Sequence, residues 1–323
     1  MGKETFLKHS RSLAILSLCA ALAACSNSSS SQTDTSASSA APGGKTIGVS
    51  IQNREAQFYQ DMESGMKSEA AKYGYNLIVV DANRDNAKQQ SQVEDFISKK
   101  VDAIVLTPYD STAIGSAINE ANKAGVPVFT ADIASTSKMG VVTAHVASDN
   151  IQGGAQAAKL ICDAVKAGSV AIIDEPEVTS VQDRVKGFKQ ALKANCPSVT
   201  IVADVDAGGQ RDTANSDTGD ILQSHKDLKG IFGINDDSAL GALTAVRAAG
   251  LNGKIAIVGY DATPEARAAI RSGDMAGDAV QYPDQIGKLT IDTIHNYFDG
   301  KKPPAIVNVK VGAYTQADAK KAQ

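Results

Sequence analysis

The chain has 323 residues, of which 43% are hydrophobic and 21% charged. That is enough apolar material for two ordinary domains and too much for global disorder. The formal charge of -4 argues against a general nucleic-acid binder, because phosphate calls for a basic surface. Four Cys are too few for a disulfide-built scaffold of this size.

The first residues do not read as fold. Lys3, Lys8 and Arg11 face a single Glu4, and an apolar run follows from Leu13 to Ala24. A basic head, a short apolar run and small residues predict a secretory signal over 1–24. The run is too short to span a bilayer as a helix. Its ending, Leu22-Ala23-Ala24-Cys25, resembles the lipobox of bacterial lipoproteins. That implies Cys25 as a lipid anchor to the membrane. Residues 25–44 are dominated by Ser, Thr, Ala and Gly and predict a flexible tether.

From Thr46 the pattern alternates. TIGVSI (46–51), NLIVVD (76–81), AIVLTP (103–108) and PVFTAD (127–132) read as strands. Helices are expected over 58–73, 87–99 and 113–123. Phe58, Met62, Met66, Ala70 and Tyr73 share one helical face, and Gly74 stops that helix. The rhythm breaks over 135–147. A second unit of similar size then begins: helices over 151–167, 181–194, 212–225, 238–249 and 264–272 alternate with strands at 170–175, 199–205, 230–235, 254–261 and 275–281. A last helix (284–298) and strand (306–309) must complete one of the units. Such alternation predicts parallel sheets with helices on both faces, arranged as two lobes.

Ligands of open parallel sheets bind beyond the carboxyl ends of the strands. The residues ending these strands are Gln52, Asp81, Thr107, Asp132, Asn235, Asp261 and Gln281. Carboxylates accept hydrogen bonds, whereas amides both accept and donate. Taken together, the set suits a ligand rich in hydroxyls.

HVASDNIQGG (145–154), INDDSALGAL (234–243), IVGYDATPEA (257–266) and QYPDQIG (281–287) carry a family resemblance that covers the chain from Thr46 onward. The sequence resembles periplasmic sugar-binding proteins of the ribose-binding type, the solute receptors of ABC importers. This implies an α/β fold of two Rossmann-like lobes (periplasmic binding protein-like, type I) joined by a three-segment hinge. The implied N-lobe is 45–148 plus 282–309, and the implied C-lobe is 149–281 plus 310–323. The implied ligand-binding residues are Gln52, Phe58, Tyr59, Asp132, Gln182, Asn235, Tyr260, Asp261 and Gln281. The first aromatic pair would stack on a sugar ring.

The departures concern arginine and aromatic positions. Ile133 stands where the family often has Arg after the strand-ending Asp, and Gln182 stands where a second binding Arg is common. Gly208-Gly209 replace an aromatic of the C-lobe. Arg54 and Arg211 lie in nearby loops and either compensate or are solvated surface residues. Ile133 would add an apolar contact.

No HExxH, GxSxG or CxxC segment occurs, and His145, His225 and His295 are scattered. Neither a metal site nor a cofactor nor an enzymatic activity is expected. Cys162 and Cys196 fall at helices of the C-lobe, outside a reducing cytosol. They form either a disulfide or two buried thiols. The expected role is a substrate-binding lipoprotein of an ABC sugar importer, monomeric, in the cell envelope. It would take a monosaccharide or polyol and present it to membrane permease subunits, with no nucleic-acid partner. The same fold also admits a receptor for a furanose signal or nucleoside, or a sensor serving a membrane kinase or chemoreceptor.

Overall fold

The computed structural model describes residues 44–321. Segment 1–24, Cys25 and the tether through residue 43 lie outside the described residues. In chain order the first elements are β1 (Thr46–Ile51), α1 (Gln57–Lys72), β2 (Asn76–Asp81), α2 (Asn86–Ser98), β3 (Ala103–Leu106), α3 (Gly115–Lys123), β4 (Val128–Ala131) and β5 (Val142–Ser148). There follow α4 (Asn150–Val165), β6 (Gly168–Asp174), α5 (Thr179–Asn195), β7 (Val199–Asp206), α6 (Arg211–Ser224), β8 (Leu228–Gly233), α7 (Asp236–Ala248), β9 (Ala256–Asp261), α8 (Pro264–Ser272) and β10 (Gly277–Val280). The chain ends with α9 (Pro283–Phe298), β11 (Ile306–Val309), β12 (Gly312–Thr315) and α10 (Gln316–Lys321).

Two six-stranded sheets result. The first runs β11-β5-β4-β3-β1-β2 and is parallel throughout. The second runs β12-β10-β9-β8-β6-β7 and is parallel except for β12, which pairs antiparallel with β10. Inner strands such as β3 and β4 are buried at every residue, as helices on both faces require. Each sheet carries one apolar cluster on each face. The chain passes between the sheets three times: after Ser148, after Val280 and after Val309.

Helix α9 returns from the second sheet to the first and packs on α1. A Cβ on Gly65 would lie 2.2 Å from the Asp284 carbonyl oxygen, and one on Gly287 would lie 2.2 Å from that of Met62. The two helices approach that closely only because both positions are glycine. This fixes the start of α1, and with it Phe58 and Tyr59, against the chain segment that crosses between lobes.

Two elements depart from the sequence reading. The break assigned to 135–147 contains strand β5, which pairs with both β4 and β11. Thr, His, Ser and two Ala occupy five of the seven positions in VTAHVAS, so its apolar signal is weak even though it lies inside the sheet. Strand β12 was equally hidden in GAYT. Its place comes from antiparallel pairing with β10, not from a local apolar run.

Candidate ligand-binding cleft

The carboxyl ends of both sheets face a cavity of about 310 Å³ between the lobes. From the first lobe it is lined by Gln52 after β1, Phe58 and Tyr59 in the first turn of α1, Arg84 after β2, and Asp132 and Ile133 after β4. Asn53 shapes the entry to α1, its Oδ1 accepting the N–H groups of Glu55 and Ala56 at 3.1 and 3.0 Å. The Phe58 and Tyr59 rings meet edge to face with centroids 5.2 Å apart. The Tyr59 hydroxyl donates to Asp132 Oδ2 at 3.4 Å. Asp132 holds a left-handed φ of 64°, a backbone strain that turns its side chain out of the strand line.

The second lobe contributes Glu175 after β6, Arg184 from α5, Asn235 and Asp236 at the start of α7, and Asp261 as the last residue of β9. Gln281, on the crossing segment, donates to Asp261 Oδ1 at 2.7 Å. Asn235 caps α7 by accepting from the Ser238 N–H at 2.8 Å, and it donates to the Gly209 carbonyl at 3.1 Å. Gln52 reaches across the cleft to donate to Glu175 Oε1 at 3.3 Å. Asp132 Oδ1 and Gln281 Oε1 are buried and find no hydrogen-bond partner among the described residues. Such groups are costly when unpaired.

Burial dominates the electrostatics of the cleft. It pushes the Asp132 carboxyl up to about 6 against the opposing effects of Arg184 and Tyr59. It pushes Glu175 to about 7, opposed by Arg84 and Arg184. Asp261 is raised by burial and by the neighbouring Asp236 charge. The arrangement offers acceptors, an aromatic wall and the guanidinium groups of Arg84 and Arg184.

Seven of the nine expected residues line this cavity: Gln52, Phe58, Tyr59, Asp132, Asn235, Asp261 and Gln281. Gln182 does not. It is exposed on α5, donates to the Pro176 carbonyl at 2.7 Å and lies beside Lys186 and Lys189 on another surface. Tyr260 does not either. Strand alternation sends its side chain under the sheet, where it is fully buried beneath the Arg184 guanidinium, 3.6 Å from the ring centroid. Its hydroxyl donates to Asn150 Oδ1 at 3.2 Å.

Among the other strand-ending residues, Asp81 turns back to accept from the Asn83 N–H at 2.7 Å, and Thr107 is buried away from the cavity. Arg54 does not compensate for missing arginines, since it forks onto Glu63 with two 3.0 Å bonds. Arg211 reaches the rim, paired with Asp237 at 3.0 Å and Glu265 at 2.9 Å. The cavity nevertheless holds guanidinium groups, from Arg84 and Arg184. Arg184 donates to Asn150 Oδ1 at 3.0 Å and to the Ile234 carbonyl.

Sequence reasoning also missed Glu175, although it follows a strand as Asp132 and Asp261 do. Ile133 is buried within an apolar cluster whose other members come from the second lobe, Val178 and Val181 among them. Cys162 and Cys196 form a disulfide, with Cα atoms 5.8 Å apart. Among the described residues, no group of three or more His, Cys, Asp and Glu is placed to hold a metal ion, and no helix is long and apolar enough to cross a membrane.

Two facing α/β lobes with a polar cleft between them define a solute-binding architecture. Residues 47–302 match the periplasmic binding protein domain, and the chain belongs to that family. It is 34% identical over 273 residues to the ribose import binding protein RbsB of Bacillus subtilis (strain 168), covering 84% of this chain and 87% of that protein. A solute-binding protein of Actinobacillus succinogenes 130z with bound D-allose superposes with a TM-score of 0.80 at 30% identity, over 86% of this chain and 99% of the other. One from Bacillus halodurans C-125 with bound myo-inositol gives 0.79 at 29% identity, over 88% and 99%.

Proposed function

We propose that this chain is the solute receptor of an ABC sugar importer, taking a monosaccharide or related polyol into the interlobe cleft. The observation that carries the reading is a pair of buried, unpartnered acceptors, Asp132 Oδ1 and Gln281 Oε1, on residues lining the same cavity as Phe58 and Tyr59. Hydroxyl donors would satisfy the acceptors, and the C–H face of a ring would lie on the aromatics. The ligand is held by the second lobe only when the lobes come together. Closure then follows from its differential affinity for the closed form.

The proposal extends to placement. Cys25 carries the lipid anchor, the tether spans to the folded part, and permease subunits receive the closed form. The chain acts as a monomer and catalyses no reaction. A thermal-shift screen over pentoses, hexoses, deoxysugars, polyols and nucleosides tests the ligand class. A bound ligand raises stability as RT ln(1+[L]/Kd), so sugars or polyols should raise the melting temperature. A shift confined to nucleosides would replace the reading.

A further inference from the structure

Two buried carboxyl groups meet beneath the second lobe's side of the cleft. Asp236 opens α7 and lines the cavity. Asp278 sits in β10 between Gly259 of β9 and Tyr314 of β12. They are 3% and 0% exposed. Asp236 Oδ1 and both carboxyl oxygens of Asp278 find no hydrogen-bond partner among the described residues. A Cβ on Gly259 would stand 2.2 Å from Asp278 Oδ1 and 2.8 Å from Asp236 Oδ1, so the two carboxyls converge over that glycine. The bases nearby are engaged elsewhere. Arg211 pairs with Asp237 and Glu265. Arg267 lies over the Tyr314 ring and donates to the Ala262 carbonyl at 2.7 Å, and Arg184 lies over Tyr260. Asp261, on the strand beside Asp278, adds a further acid rather than a counter-charge.

Two ionised carboxylates so placed would each lose solvation and repel the other. One proton between them removes the repulsion, because a protonated carboxyl donates and its ionised partner accepts. Burial raises both carboxyls, and the Asp236 charge raises Asp278 further. What the pair holds is the turn after β9. Asp236 Oδ2 accepts the Thr263 N–H at 2.6 Å. Just before that bond, Asp261 and Ala262 keep left-handed φ values of 114° and 59°, a strained pair that persists only where its surroundings fix it. We infer that Asp278 is a positioning residue of the cleft: it shares one proton with Asp236 and so holds the turn that keeps Asp261 at the cavity. The consequence for the ligand rests on the sugar-binding reading above, whereas the shared proton does not.

The test compares the wild type with Asp278→Asn, whose amide still donates but does not titrate, and with Asp278→Leu, which has similar size and no donor. Infrared spectra at pH 8, with ¹³C-labelled Asp to identify the band, should show more protonated carboxyl in the wild type than in Asp278→Asn. Amide exchange at Thr263, followed by NMR, should be nearly unchanged in Asp278→Asn and about tenfold faster in Asp278→Leu. Calorimetric affinity for the best-binding sugar or polyol should keep that order: within about threefold of the wild type for Asp278→Asn and about tenfold weaker for Asp278→Leu. Equal carboxyl bands in the wild type and Asp278→Asn would overturn the shared proton. Thr263 exchange or affinity altered equally in both variants, or in neither, would overturn the positioning role, even if both variants melt at lower temperature. If no sugar or polyol binds the wild type, the sugar-binding reading falls, and the infrared and exchange results still decide this inference. Melting temperatures check that each variant is folded, and Asp278→Ala replaces Asp278→Leu should the latter not fold.

Discussion

Thr179 of the second lobe clasps Ala134 of the first. Its Oγ1 accepts the Ala134 N–H at 3.0 Å and donates to the Ala134 carbonyl at 3.3 Å. The Thr179 N–H donates to Ser111 Oγ at 3.0 Å, and the Ser111 N–H donates to the Glu177 carbonyl at 3.2 Å. Ile133 sits beside this clasp with its side chain in the second lobe's apolar cluster. These contacts join the lobes through protein atoms alone, so they bias closure without touching the ligand.

Thr179→Val keeps the side-chain shape and removes the hydroxyl. Each hydrogen bond is worth about 1 kcal/mol, so closure should weaken and ligand affinity fall by about threefold to tenfold. The loss should appear as faster dissociation in stopped-flow measurements and be the same for every sugar bound. A sugar-dependent loss would place Thr179 at the ligand instead.

Affinity should depend on pH. Burial lifts Asp132 to about 6 and Glu175 to about 7, with Arg84, Arg184, Tyr59 and Asp261 as their charged or titratable neighbours. Below these values the carboxyls are protonated and lose acceptor capacity. Affinity should therefore be weakest at pH 5 and rise through pH 6–7, by about tenfold where Asp132 must ionise and by about a hundredfold where Glu175 must. Calorimetry should show proton release on binding near pH 6. A flat profile from pH 5 to 8 would mean that neither carboxylate accepts from the ligand.

Stability should fall in acid for a separate reason. Burial depresses His145 from its ordinary 6.5 to about 4, so the folded state holds it neutral beside Thr130, 2.9 Å away. A depressed base contributes fully above pH 6.5, and its contribution is lost as pH falls toward 4. The loss is up to about 3 kcal/mol, less to the extent that solvent reaches the ring. His145→Gln should flatten this part of the stability profile in urea melts. An unchanged slope would assign it to other groups.

The Cys162–Cys196 bond closes a loop with a sequence separation of 34, for which chain entropy gives about 3–4 kcal/mol of stabilisation. Cys162→Ser with Cys196→Ser, or added reductant, should lower the melting temperature. Ligand affinity should hardly change, because neither residue lines the cleft. Free thiols in the untreated protein would contradict the pairing.

The sequence shows most of the fold wherever apolar runs are continuous, as in AIVL and VAIID, since both faces of those strands are buried. It hides β5 and β12, whose places depend on pairing with distant strands. Residues ending strands led to most of the cleft, because side chains at those ends point past the sheet. Tyr260 misled because the adjacent Asp261 does reach the cavity, and one step along a strand reverses direction. Gln182 misled because position along α5 does not reveal which face meets the cleft, whereas Arg184, two residues on, does face it. Glu175 follows the strand-end rule, one residue past β6.

Acceptors at Asp132 and Asp261 are expected to hold a sugar or polyol in this cleft. This is tested most directly by titrating the best-binding panel compound into the wild type, Asp132→Ala and Asp261→Ala by calorimetry. The wild type should bind at micromolar Kd or tighter, about −8 kcal/mol. Each variant, still folded by melting temperature, should lose about tenfold to a hundredfold, as expected for a hydrogen bond to a charged group. Affinities equal to the wild type in both variants would show that neither carboxylate holds the ligand.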